Sequence, residues 1–170
     1  MWEHRRKPWN FTSGGPGSGL YMTIDAGNTW QELTPEDGLP KGDLGRIGLA
    51  ISAANSKTVY ALIESKKNAL YKSEDGGYTW KMINDNMREI GNRPFYYAEI
   101  HADPSNENRI YSIFTYVNVS EDGGKTFNSL MPAYGTTTGV HPDHHAWYIH
   151  PENTNIMLDG NDGGLNITYD

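Results

Sequence analysis

Apolar and aromatic residues come in short runs along this chain, and each run is closed by Gly, Asn, Asp, Ser or Pro. In one stretch the runs fall at 44–51, 57–64, 68–73 and 78–84. Their length and their turn-forming borders predict four β-strands joined by tight turns. The same pattern predicts strands at 19–24, 28–33, 95–102, 108–114, 116–120, 125–130, 144–150, 155–159 and 163–168. No run approaches the ~20 apolar residues that a membrane-crossing helix needs. The N-terminal stretch has no apolar core of a secretion signal.

The strands repeat. Thr23-Ile24-Asp25-Ala26-Gly27-Asn28-Thr29-Trp30, Ser73-Glu74-Asp75-Gly76-Gly77-Tyr78-Thr79-Trp80 and Ser120-Glu121-Asp122-Gly123-Gly124-Lys125-Thr126-Phe127 share one pattern. A fourth copy opens at Thr168-Tyr169-Asp170. The starts at 23, 73, 120 and 168 are spaced by 50, 47 and 48 residues. In each copy the Asp can hydrogen-bond the backbone two residues on, and Gly supplies positive φ. The closing Trp or Phe starts the return strand and fills space between strands. Asp25, Asp75 and Asp122 are therefore read as turn locks, with Trp30, Trp80 and Phe127 as their packed rings. A second phrase, Ile100-His101-Ala102-Asp103-Pro104-Ser105-Asn106-Glu107-Asn108-Arg109-Ile110-Tyr111, returns as Ile149-His150-Pro151-Glu152-Asn153-Thr154-Asn155-Ile156-Met157. Each phrase reads as strand, turn, strand. Four antiparallel strands per ~48 residues, repeated, predict an all-β fold of β-propeller blades.

Composition narrows the chemistry. The chain has 170 residues, 19 of them Gly, with 12% aromatics and no Cys. That excludes disulfides, thiolate metal sites and a cysteine nucleophile. Lys and Arg number 14 against 21 Asp and Glu, a net charge of -7. A nucleic-acid partner would want a basic surplus, so none is expected, and neither is a membrane. Arg5-Arg6-Lys7 reads as a solvated basic run within a lead-in segment, 1–18.

The boxes resemble the Asp-box, or BNR, repeat of sialidases, sortilin-type propellers and xyloglucanase-type glycoside hydrolases. The Asp-Pro-x-Asn-x-x-x-Ile-Tyr phrase is most similar to the sortilin-like and xyloglucanase-like branch. That branch includes large bacterial propeller proteins described as glycosyl hydrolases. Trp2-Glu3-His4-Arg5-Arg6-Lys7-Pro8-Trp9, Gly14-Gly15-Pro16-Gly17-Ser18-Gly19-Leu20-Tyr21, Asn92-Arg93-Pro94-Phe95-Tyr96-Tyr97, His144-His145-Ala146-Trp147 and Leu158-Asp159-Gly160-Asn161-Asp162-Gly163-Gly164 strengthen it. The resemblance spans essentially the whole chain. Such proteins have seven to ten blades, and 170 residues supply about three and a half. The chain therefore reads as a single partial propeller over 1–170. The resemblance implies secreted or periplasmic full-length relatives, and it puts the boxes on the face away from the ligand.

On the opposite face lie the loops 34–43, 85–95 and 131–144, and those near 64–68, 114–117 and 159–164. The ligand-face residues singled out are Arg93, Tyr96, Tyr97, His141, Asp143, His144, His145, Asp159 and Asp162. His141, Asp143 and His145 alternate and would share one face of a strand. They suit either a metal or acid/base site, or a polar rim of the channel. Pro142 breaks strand geometry and no zinc-type spacing occurs, so no metal or other cofactor is expected. Tyr96 and Tyr97 would point to opposite sides of a strand, and an exposed Tyr beside Arg93 could stack on a sugar or pack between blades. Asp143 and Asp162 are the candidate catalytic carboxylates, but glycoside hydrolysis needs a pair flanking the bond. The sialidase arginine triad has no counterpart in Arg46, Arg88, Arg93 and Arg109. The reading taken forward is a non-enzymatic propeller segment, structural or binding a carbohydrate or peptide. Part of a xyloglucanase-like hydrolase and a sortilin-like peptide-binding module are the alternatives. Open blade edges predict a homo-oligomer, a dimer above all.

Overall fold

A computed structural model describes residues 1–91, 93–96, 99–131 and 139–169. The chain is nearly all β. His4–Lys7 (β1) pairs with Asn10–Ser13 (β2), and Leu20–Met22 (β3) with Gln31–Leu33 (β4). Next come Ile47–Ile51 (β5), Val59–Ile63 (β6), Ala69–Ser73 (β7) and Lys81–Asn84 (β8), in that spatial order. Glu99–Ala102 (β9), Ile110–Ile113 (β10), Val117–Ser120 (β11) and Asn128–Ser129 (β12) form the same four-stranded meander. His144–Ile149 (β13), Met157–Asn161 (β14) and Gly164–Thr168 (β15) form a three-stranded sheet. Every pairing is antiparallel. These are propeller blades.

Strand alternation explains how the sheets stack. In β6, Val59, Ala61 and Ile63 turn toward the β3–β4 sheet and join Leu20, Leu33, Leu39 and Trp80. Tyr60 and Leu62 turn the other way, toward Ile100, Ile110 and Phe127 of the third blade. Odd and even positions of one strand thus serve two interfaces, which is why the whole strand is buried. A third core joins Tyr111, Ile113 and Val117 to Trp147 and Met157 of the last sheet. On that sheet's other face, Tyr148 is paired with Leu158, and Leu158 with Ile167. Tyr148 and Ile167 are each 48% exposed there, and Leu165 beside them is 67% exposed.

Each expected strand from 19–24 to 163–168 matches an observed one, mostly trimmed at the ends, while β14 runs two residues past the expected 155–159. Three elements were not expected. The segment read as a lead-in carries the β1–β2 hairpin, so the Arg5-Arg6-Lys7 run lies on a strand. Pro35–Asp37 forms a capped 3-10 turn. Met87–Ile90 forms a one-turn helix (α1), capped by the Asn86 side chain.

Candidate functional site

The three complete boxes fold alike. In the second, Ser73 Oγ donates to Asp75 Oδ1 at 2.7 Å and accepts from Gly77 N at 2.8 Å. Asp75 Oδ1 also accepts from Tyr78 N and Thr79 N at 3.0 and 2.9 Å, and Oδ2 accepts from Thr79 Oγ1 at 2.6 Å. Thr23, Asp25 and Thr29 make the same core of bonds, and so do Ser120, Asp122 and Thr126. The Thr29 donors hold the Asp25 carboxyl down to about 2. Those of Thr79 hold Asp75 well below the ordinary carboxylate range. Partial burial opposes the effect at Asp122, but Thr126, Ser120 and Lys125 still bring it to about 2. Two of the three closing rings lean back on the preceding sheet. Trp80 joins the first core and Phe127 the second, while Trp30 is 61% exposed.

The loops at the other end of the strands build the opposite face, the candidate ligand face. A groove of ≈ 790 Å³ runs between the third and last blades, lined by Arg88, Arg93, Phe114, Tyr116 and Asp143 among others. Its walls are fixed by backbone anchors. Asn118 Nδ2 donates to Glu89 O at 2.9 Å and Ser112 Oγ to Ile90 O at 3.1 Å, pinning α1 and Arg88 with it. The Glu89 carboxylate accepts from Asn84, Asn86 and Phe127 N. Across the groove, Asp143 N donates to Thr115 O at 3.2 Å and His144 N to Phe114 O at 2.9 Å.

The residues singled out from sequence fall into three groups. Arg93 and Asp143 share the groove. His144 and Asp159 form a buried pair, Nδ1 to Oδ1 at 2.7 Å, and Asp159 Oδ2 accepts from Asn161 and Asn166. His145 Nε2 lies 2.9 Å from Asp162 Oδ1 at the surface, and His141 Nδ1 lies 2.7 Å from Pro142 O. The strand alternation expected for His141, Asp143 and His145 does not hold. β13 begins only at His144, its register shifts between His144 and Ala146, and Asp143 has φ 64°. Among the described residues, no three His, Asp or Glu side chains are placed to hold a metal.

Tyr96 also departs from expectation. It lies in a turn ahead of β9, not in a strand, and Tyr97 is outside the described residues. The Phe95 and Phe11 rings are 5.1 Å apart, and those of Phe95 and Tyr96 are 4.8 Å apart. Arg6 sits over the Tyr96 ring at 5.9 Å, and Arg46 Nη1 donates to Tyr96 O at 2.7 Å. The N-terminal hairpin therefore reaches the candidate ligand face. Sequence reasoning missed the hairpin because its strand is charged rather than apolar. It also passed over Arg88 and Tyr116, for which the Asn86 cap and the loop at 114–117 were the available signals.

No family model matches the chain. It is 27% identical over 168 residues to a xyloglucanase of Hypocrea jecorina, covering 89% of this chain and 19% of that protein. It is 27% identical over 84 residues to xyloglucanase Xgh74A of Acetivibrio thermocellus, covering 39% of this chain and 10% of that one. The chain thus spans a fifth or less of the length of these relatives. Among solved structures, it superposes on the GH74 xyloglucanase of Xanthomonas campestris with TM-score 0.60 at 17% identity, covering 89% of this chain and 26% of that one. It superposes on YCF48 bound to D1 peptide with TM-score 0.58 at 14% identity, covering 98% and 57%. These structural likenesses show a β-propeller fold.

Proposed function

We propose that this chain is a segment of a xyloglucanase-like β-propeller whose ligand face supplies sugar contacts, with hydrolysis drawing on carboxylates elsewhere in a larger propeller. The observation that carries the reading is the groove on the face away from the boxes. Tyr116 offers a half-exposed ring for stacking, and the arginines offer planar donor forks. Asp143 accepts sugar hydroxyls. Similarity to the Hypocrea jecorina xyloglucanase along 89% of the chain favours a sugar as the occupant. Asp159 is already occupied by three donors and Asp162 by His145. In this reading both carboxylates shape the face, and the hydrolytic pair lies elsewhere in the larger propeller. In this reading the boxes are of the Asp-box type shared with sortilin-like propellers. The open face of the last sheet takes a further blade, which a second copy supplies when the chain stands alone.

Calorimetric titration with xyloglucan oligosaccharides tests the proposal. Binding is expected, with about a tenfold loss for Tyr116→Ala, and no release of reducing ends. Hydrolysis by this chain would overturn the division of roles, and absence of binding would overturn the sugar. Light scattering at twice the chain mass is the expected result for the second copy. Peptide binding is a second reading, favoured by the likeness to YCF48 bound to D1 peptide.

A further inference from the structure

Six arginines are present in a chain whose net charge is -7. Arg5, Arg46 and Arg109 each have a carboxylate within 4.0 Å. Among the described residues, Arg6, Arg88 and Arg93 have none. All three lie on the ligand face, and two line its groove. A molecule with a surplus of acids has carboxylates to spare, so this gathering is not a by-product of excess base. The lysines of the turn face differ: Lys72 lies 3.0 Å from Glu74, and its neighbours Lys81 and Lys125 share their groove with Asp75 and Asp122.

We infer that the groove selects a carboxylate-bearing sugar, a uronate-containing oligosaccharide, through Arg88 and Arg93; this rests on the carbohydrate reading above. A guanidinium receives a carboxylate through two parallel N–H donors, stronger than the bonds it makes to a hydroxyl. Arg88 is carried on α1, whose carbonyls are gripped by buried Asn118 and Ser112, so its backbone needs no reordering on binding. Asp143 gives the groove a direction. It repels a carboxylate from its own side and accepts hydroxyl protons there, so the acid group faces the arginines. Tyr116 covers the sugar ring. A uronate residue presents all three features at once: a carboxylate, hydroxyls and a ring face.

The experiment compares three ligands on the full chain: a neutral xyloglucan oligosaccharide, an oligogalacturonate, and the methyl ester of that oligogalacturonate. The acid is expected to bind about tenfold tighter than its ester, with the preference shrinking as salt is raised. Arg88→Gln with Arg93→Gln removes the preference, weakening the acid more than the ester until the two bind alike, and leaves the thermal melt unchanged. Equal affinity for acid and ester overturns the inference while the carbohydrate reading stands, and so does a preference that survives the double variant. Failure of all three sugars overturns both. Binding of an acidic peptide in their place assigns the arginines to a peptide and also overturns the inference.

Discussion

The two faces carry grooves of similar size and opposite character. The turn-face groove, ≈ 670 Å³, is lined by Lys72, Lys81 and Lys125 together with Glu74, Asp75 and Asp122. Its aspartates are consumed by their own turns, down to both carboxylate oxygens. The groove on the candidate ligand face, ≈ 790 Å³, is lined by two arginines with no carboxylate partner among the described residues, one aspartate and aromatic rings. The aspartates, Thr79 and Trp80 of the first recur every ~48 positions, although its lysines do not, and the second is made of residues that occur once. Repetition marks what every blade needs in order to close, and such groups satisfy one another. Polar capacity left over for a ligand lies where the repeat is broken.

The comparison breaks most sharply at the box rings. Trp80 is 7% exposed between two sheets, donates Nε1–H to Gly77 O at 2.9 Å, and packs with Leu20, Leu33 and Tyr71. Trp30 has the same place in its box and a similar bond to Gly27 O at 3.1 Å, yet is 61% exposed. Trp80→Ala is expected to cost about 3–5 kcal/mol, the range for an emptied core site, and Trp30→Ala under about 1 kcal/mol. Paired denaturant melts check this. Equal losses would mean that the turn, rather than the inter-sheet packing, determines the ring's value.

Acid sharpens the same comparison. Asp25 and Asp122 titrate near 2 in the fold, below the ordinary carboxylate range, because their turns donate to the ionised form. A depressed folded pKa contributes stability that is present above the unfolded value of about 4 and lost as pH falls through about 2. The expected outcome is a melting temperature that declines from pH ~4 downward. In Asp122→Asn the melt is lower at neutral pH and the acid decline shallower. Both groups are largely solvated, so screening keeps the effect modest. Identical acid profiles for variant and parent would contradict the assignment.

Much of this fold was legible in sequence because the repeat spells out strand, turn and ring in fixed order. Alternation in stretches such as 57–64 located the strands and the core they share. The ligand face was less legible for reasons visible in particular residues. Arg5, Arg6 and Lys7 pair with 10–12 in a solvent-exposed hairpin, so no apolar period announces it. α1 is a single turn held by Asn118 and Ser112 from distant strands, and local sequence carries no trace of those contacts. The histidines were noticed, but which carboxylate each one meets depends on the β13–β14 register and its shift at His144. Asp159 and Asp162 reach their partners only through that pairing.

The smallest effect separates the first box from the other two. Where they have Gly76 and Gly123, with φ 87° and 76°, it has Ala26 at φ 58°. An L-residue there sets its Cβ against the backbone, at roughly 1 kcal/mol, whereas glycine adopts the conformation without that penalty. Ala26→Gly also makes the unfolded chain more flexible, which returns part of the gain. The net expectation is a stabilisation of a few tenths of a kcal/mol, up to about 1. The reverse change, Gly76→Ala, places a Cβ in open space at the same kind of φ, so backbone strain alone sets its cost. A melt raised by the first substitution and lowered by the second would give the two boxes one backbone requirement. A lowered melt for Ala26→Gly would mean that the Ala26 side chain contributes more than its backbone loses.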